Sequence, residues 1–353
     1  MMPDLAVQSK PESLCVVRLS AIGDTCHALA VIRRLQDNWP DVPVTWIIGK
    51  TESALMSDIE DIEFIIFDKS KGYGAYKDVR RQLKDRHFDR ALCMHASLRA
   101  NLLCRDIAAD TRLGFDKARA RDFQWLFTNQ RVPAAEHEHA LEAMMSFATA
   151  TGAEPRDLRW DIPLSASDEQ FAAQFAASRN PLVVISPCSS QRSRNYRNWG
   201  VERYSATIQH LREKHDCNVV LTGGPSDLEQ QYGETLSATG QAVNLVGKTR
   251  LKELLALIAR AQLVICPDSG PAHMATAVGT PVIGLYATSN PDRTGPYLSR
   301  DLTVNRYPDA ARQYLGKDVD ELRWGQRVRH ADAMDMITID DVSGKIDAFF
   351  ANS

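Results

Sequence analysis

Leu263-Val-Ile-Cys-Pro-Asp-Ser-Gly-Pro-Ala-His-Met-Ala275 passes from an apolar run, through a polar turn, into a helix start. The opening residues carry no polar interruption, as a strand buried on both faces of a sheet requires. Pro271 suits the first turn of a helix, where its missing N–H leaves no bond unmade. A strand that runs directly into a helix is the repeating unit of doubly wound parallel sheets. The same junction presents backbone N–H groups and a partial positive charge, which together make an anion site. Ser269 and Gly270 are placed to set N–H groups against a pyrophosphate, since glycine allows close backbone approach. His273 follows in the first helical turn. The plainer alternative is that Asp268 or Ser269 caps the helix and His273 packs.

Outward from this stretch the same alternation recurs. Apolar runs at 182–186, 218–222, 242–246 and 281–286 read as further strands, with helices between them, the clearest at 251–260. In the other half, strands are expected at 14–19, 42–48, 62–67 and 90–94. Ala28, Leu29, Val31, Ile32 and Leu35 recur at helical spacing after the first of these. A helix is expected near 76–86 and another near 139–151. Gly152-Ala-Glu-Pro155 and the aperiodic stretch to Pro163 suit a domain boundary. The expected architecture is α/β: two Rossmann-like, doubly wound parallel-sheet domains spanning 1–165 and 166–330. Ligands of such sheets bind outside the carboxyl ends of the strands, so the cleft between the domains is the expected active site.

At 353 residues, the chain is long enough for these two domains. An apolar fraction of 44% and a charged fraction of 25% exclude a disordered chain. No apolar run reaches the length of a membrane span, and residues 1–10 do not read as a signal peptide. Seven scattered cysteines, four in or beside apolar runs, suit buried thiols of a reduced cytosol. The formal charge of −3 argues against a general polyanion or nucleic-acid binder. That charge is unevenly distributed. Residues 69–131 hold 15 Lys and Arg against 7 Asp and no Glu, leaving +8 there and −11 elsewhere. Such asymmetry speaks about partners rather than fold. Solvated helix faces explain any single one of these cations equally well.

Other strand ends carry chemistry too. The loop after 182–186 holds Ser189, Arg192, Arg194 and Arg197, hydroxyls and guanidinium forks suited to phosphate, or simply a mobile polar loop. Gly223-Gly-Pro-Ser-Asp227 follows the next strand, with Asp227 or Glu229 available to a ribose. Gly247-Lys-Thr249 closes another. Neither a dinucleotide fingerprint nor a P-loop occurs. Near the start, Asp24 lies where the first strand meets the first helix. It is either a general base or a helix cap. His137 and His139 lack a third ligand nearby, so no metal is expected.

Arg18-Leu-Ser-Ala-Ile-Gly-Asp24, Asp268-Ser-Gly-Pro-Ala-His273 and Gly279-Thr-Pro-Val-Ile-Gly-Leu285 together resemble motifs of glycosyltransferase family 9, the lipopolysaccharide heptosyltransferases. The resemblance spans nearly the whole chain. Arg323-Trp-Gly-Gln-Arg-Val328 and Ala333-Met-Asp-Met-Ile337 look most like the enzymes that add the first heptose. It implies a GT-B fold whose C-terminal segment, 331–353, is a helix crossing back onto the N-terminal domain. It implies inverting, metal-independent transfer of L-glycero-D-manno-heptose from ADP-heptose to a Kdo-lipid A type acceptor, with no cofactor. The enzyme would be cytoplasmic and peripheral on the inner membrane. Asp24 would deprotonate the acceptor. Ser189, Arg197, Asp227, Glu229, Thr249, Asp268, Ser269, Gly270 and His273 would serve the donor. Where the family usually has Lys before an aromatic, this chain has Arg197-Asn-Trp199. Lys69, Lys71, Lys117, Arg119 and Arg121, from the basic window, are the candidates to meet an anionic acceptor. The alternatives are another nucleotide sugar, transferred or epimerised on the same fold, and a non-catalytic binder of nucleotide sugars or glycolipids.

Overall fold

The computed structural model describes residues 10–189 and 195–352. They form two compact units, divided between Pro163 and Leu164.

The first unit holds strands β1 (Leu14–Val17), β2 (Val44–Gly49), β3 (Glu63–Phe67), β4 (Phe88–Leu92), β5 (Ala109–Gly114) and β6 (Gln130–Arg131). All pair in parallel, in the order β3-β2-β1-β4-β5-β6. Helices α1 (Ile22–Asn38), α2 (Lys50–Met56), α3 (Tyr73–Leu83), α4 (Leu98–Asp106) and α5 (Ala140–Ala150) connect or cover them. β1 and β2 are buried at every position, which is why their sequences are apolar throughout rather than alternating. β5 differs. Its Asp110, Thr111 and Arg112 are not buried, and with two-residue β6 beside it this side of the sheet carries no apolar signature. The sequence reading misses both strands.

The second unit opens with α6 (Ala166–Ala173) and repeats the plan. Its strands are β7 (Leu182–Ile185), β8 (Asn218–Leu221), β9 (Ala242–Asn244), β10 (Leu263–Pro267), β11 (Val282–Tyr286) and β12 (Val304–Asn305). They are parallel, in the order β12-β11-β10-β7-β8-β9. Read from the opposite edge this is 3-2-1-4-5-6, the topology of the first unit and the classic Rossmann order. The helices are α7 (Val201–His215), α8 (Asp227–Ser237), α9 (Leu251–Arg260), α10 (Gly270–Val278), α11 (Pro291–Thr294), α12 (Tyr307–Leu315) and α13 (Ile339–Ala351). Val183, Ile185, Val219, Ile265 and Ile283 share one core with Trp199, Tyr204, Val342 and Ile346. α13 is fastened to α7 by Asp347, whose carboxylate accepts from His210 (2.8 Å), His215 (2.7 Å) and Lys214 (2.6 Å). All seven cysteines are buried and free.

In a sheet of this topology the crevice lies between strands 1 and 4, where the order reverses. Here that means the carboxyl ends of β1 and β4 in one unit, and of β7 and β10 in the other. The residues singled out from sequence, Asp24 on one side and Arg197 and Asp268 on the other, follow three of these four strands.

Candidate functional site

In the first unit, helix α1 begins at Ile22, so Asp24 lies in its first turn rather than at its cap. The carboxylate accepts from the Ala21 N–H at 3.2 Å and pairs with Arg18 at 2.5 Å. The side chain satisfies the helix start from its third position, and it remains 37% exposed beside a cation. Arg18, 11% exposed, also donates to the Met94 carbonyl at 2.7 Å. Its own carbonyl accepts from Trp46 Nε1 at 3.1 Å. A guanidinium this buried needs a counter-charge, and Asp24 supplies it.

Two neighbours of this pair went unnoticed in the sequence. His95 follows β4, and its Nδ1 accepts from the Leu19 N–H at 3.2 Å, which leaves the ring proton on Nε2. Burial, aided by the charge of Arg18, pushes its pKa down to about 4, against an opposing pull from Asp24. It is a neutral imidazole at pH 7. Glu52, buried in α2, has its carboxyl pKa raised by burial. Tertiary placement alone brings either residue to β1.

In the second unit, Ser269 is the N-cap residue of α10, yet its side chain makes no capping bond. Its hydroxyl donates to the Pro267 carbonyl at 3.1 Å. Ser269 therefore does not cap the helix through its side chain. Asp268, with an 8% exposed side chain, faces cations instead. Arg197 Nη1 donates to its carbonyl at 2.8 Å and lies 3.4 Å from its carboxylate, and Arg327 approaches that carboxylate at 3.8 Å. His273 lies buried in the first turn, with Gly270 and Pro271 ahead of it. The result is a helix N-terminus flanked by two guanidinium groups and backed by one carboxylate, an arrangement suited to an anion carrying a sugar.

Arg327 stands in the Arg323–Val328 stretch that carries part of the resemblance, but the sequence assigns it no site role. It lies far along the chain from Asp268, and no local pattern joins them. The Val328 N–H donates to the Thr288 carbonyl at 3.0 Å and lays this segment along the loop after β11.

The remaining donor candidates divide. Ser189 is buried, and its hydroxyl donates to Asn195 (2.9 Å) and Asn198 (3.2 Å). It closes the loop that returns Arg197 to the strand end. Arg192 and Arg194 lie outside the described residues. Glu229 accepts from the Gly224 N–H (2.7 Å) and the Ser226 hydroxyl (2.5 Å), bracing the Gly-Gly turn. Asp227 is exposed at the first position of α8, and Thr249 is partly exposed after β9.

The acceptor candidates divide similarly. Lys69, Lys117 and Arg121 are exposed. Lys71 pairs with Asp78 at 2.8 Å. Arg119 is committed to Asp116, to Glu138 (2.5 Å) and to the Pro133 carbonyl, so its charge is largely spent within the unit. His139 caps α5, its Nδ1 accepting from the Leu141 N–H at 3.1 Å.

Known proteins resemble this chain in sequence and in fold. The family model described as glycosyltransferase family 9 (heptosyltransferase) matches residues 77–329. The chain is 40% identical, over 95% of its length and 96% of the relative's, to the lipopolysaccharide core heptosyltransferase OpsX of Haemophilus influenzae. It is 20% identical to lipopolysaccharide heptosyltransferase 1 of Escherichia coli K12, covering 80% of this chain and 90% of that one. Among solved structures, a family 9 glycosyl transferase of Veillonella parvula superposes with a TM-score of 0.77 at 19% identity, covering 98% and 99% of the two chains. E. coli heptosyltransferase WaaC with ADP superposes at 0.73 and 18% identity, covering 96% and 99%. Two parallel six-stranded sheets place the fold in the α/β GT-B class of these neighbours. The chain belongs to glycosyltransferase family 9 and is a heptosyltransferase of lipopolysaccharide core synthesis.

Proposed function

We propose that the chain transfers L-glycero-D-manno-heptose from ADP-heptose to a hydroxyl of a Kdo-lipid A type acceptor, with inversion and without a metal or cofactor. One observation carries this reading. A partly exposed carboxylate, Asp24, stands at one crevice, and a guanidinium-flanked helix N-terminus stands at the other.

In this reaction Asp24 takes the proton of the acceptor hydroxyl as its oxygen attacks the anomeric carbon. The bond from that carbon to the diphosphate oxygen breaks on the opposite face, and ADP departs with the negative charge. That charge falls on the N-terminus of α10 and on Arg197 and Arg327. Fixed dipoles and guanidinium groups thereby do for the leaving group what a divalent cation does elsewhere. Arg18 steers Asp24, and neutral His95 adds no competing positive charge. Asp268 fixes the sugar through its remaining acceptor capacity. Arg197 in place of the family's lysine gives a two-pronged contact to phosphate instead of a point charge.

The H. influenzae relative is a lipopolysaccharide core heptosyltransferase, and E. coli WaaC has been solved with ADP and with ADP-2-deoxy-2-fluoro heptose. Both support the same donor and acceptor class here. The basic stretch of the first unit suits a phosphorylated, carboxylated glycolipid presented at the cytoplasmic face of the inner membrane. No helix among the described residues is long and apolar enough to cross a membrane, so association would be peripheral. The test is acceptor dependence. ADP should be released from ADP-heptose only when a Kdo-bearing acceptor is present. A chemically altered heptose without acceptor would indicate epimerisation, and ADP binding without either reaction would indicate a binding protein.

A further inference from the structure

Three loops of the first unit hold large apolar side chains in solvent. Phe123 is 65% exposed, Leu126 61% and Trp125 51%, while Leu98 and Tyr73 are more than half exposed. The loops follow β3, β4 and β5, so they share the carboxyl edge of the sheet with Asp24. They are also bonded together. The Leu98 N–H donates to Asp122 at 2.8 Å, and Asn101 donates to the carbonyls of Arg121 (3.2 Å) and Asp122 (2.9 Å). Tyr76 donates to the Arg99 carbonyl at 3.4 Å, and its ring neighbours that of Tyr73.

The exposure is built, not incidental. Gln124, within the same turn, is fully buried and donates to the Cys93 carbonyl at 2.8 Å while accepting from the Phe115 N–H at 3.1 Å. With Gln124 anchored inward, Phe123, Trp125 and Leu126 are turned outward. Asp122 and Phe123 adopt left-handed backbone, with φ of 50° and 58°. That conformation is costly for a bulky residue. A loop that stores strain to keep Phe, Trp and Leu in water is shaped for something that will cover them. Around them stand exposed cations: Lys77, Arg99, Lys117 and Arg121. Lys77 lies over the Tyr73 ring at 5.3 Å.

We propose that the 123–126 turn inserts into the interfacial region of an anionic bilayer, with Tyr73 and Leu98 at its margin and the four cations on lipid phosphates. The chemistry fits that occupant. Tryptophan and tyrosine favour the headgroup boundary, and a few buried apolar side chains combined with basic ones bind anionic membranes from one side. The inference rests on the reading of this unit as the one that meets a glycolipid. It adds an apolar anchor on the sheet edge that also carries Asp24, where a membrane-embedded acceptor would present its sugars.

The test uses the full chain and vesicles of phosphatidylglycerol and phosphatidylcholine, which contain no acceptor, so its result is independent of the transfer reaction. Trp125 fluorescence should shift to the blue, and lipids brominated near the headgroup should quench it. Trp125→Phe should remove most of that quenching, since Trp46, Trp160 and Trp199 are buried and Trp39 and Trp324 are only partly exposed. Binding should weaken at high salt yet leave a residue, because screening acts on the cations alone. Phe123→Ser/Trp125→Ser/Leu126→Ser should lose that residue and weaken low-salt binding by about tenfold or more. Lys117→Glu/Arg121→Glu should weaken low-salt binding, about fivefold per charge. The proposal is overturned if wild-type Trp125 is unquenched, or if the triple variant binds vesicles as well as wild type. It is equally overturned if wild-type chain self-associates through this turn, the triple variant is monomeric and neither touches vesicles.

Discussion

Asp24→Asn isolates the proposed base with little change of shape. The amide oxygen can still accept from the Ala21 N–H, now at 3.2 Å, so the start of α1 is preserved. Two things are lost: the charge that takes the acceptor's proton and the partner of Arg18. General bases contribute about 10²–10⁴ in rate, or ~3–5 kcal/mol at ~1.4 kcal/mol per decade. The turnover number for transfer should fall within that range. Arg18 is 11% exposed and keeps its bond to the Met94 carbonyl. Stranding it should cost on the order of 2–3 kcal/mol, read as a lower midpoint in denaturant. ADP affinity should stay within about twofold, because Arg197, Asp268 and α10 all belong to the other unit. Single-turnover ADP release with acceptor present gives the rate, and titration calorimetry gives the affinity. A folded variant that transfers within tenfold of wild type would refute the assignment of Asp24 as base.

Arg197→Ala should lower turnover by about 10²–10³, as removal of one transition-state donor does, and Arg197→Lys should recover part of that by restoring charge without the fork. An Arg197→Lys variant as fast as wild type, measured at saturating donor, would contradict a bidentate role. His95 contributes pH dependence of stability. The folded chain refuses its proton until about pH 4, whereas an unfolded histidine takes one near pH 6.5. Its contribution is therefore complete above about pH 6.5 and is lost as pH falls from there toward 4, on the order of 3 kcal/mol over the interval. Urea titrations at stepped pH should show this slope, and His95→Gln should flatten it. Gly49→Ala should destabilise the first unit by about 2–3 kcal/mol, because the added methyl would overlap the Leu19 carbonyl oxygen and lie 2.5 Å from the Glu52 carboxylate. Thermal unfolding measures that loss.

Much of this site was legible because its parts are contiguous. Asp268-Ser-Gly-Pro-x-His carries its strand, turn and helix in one stretch, and burial at both faces makes β10 apolar throughout. Asp24 stood out for the same reason, although its helix starts earlier than the sequence suggests. What stayed hidden depends on tertiary placement. Arg327 reaches Asp268 because a late segment lies along the loop after β11. His95 and Glu52 gain meaning only from their burial beside Arg18. The basic window was overread in one respect: local charge counts cannot show that Arg119 and Lys71 already hold carboxylates. They also cannot show that apolar side chains stand exposed among the remaining cations, because a turn such as 123–126 places neighbouring residues on opposite sides.

The most direct test of transfer itself is mass spectrometry and NMR of a Kdo-lipid A acceptor incubated with ADP-heptose and the purified chain in the presence of a chelator. The proposed reaction predicts a mass increase of one heptose residue, stoichiometric release of ADP, and an anomeric configuration opposite to that of the donor. An unchanged acceptor beside intact ADP-heptose, or a product that retains the donor's configuration, would contradict it.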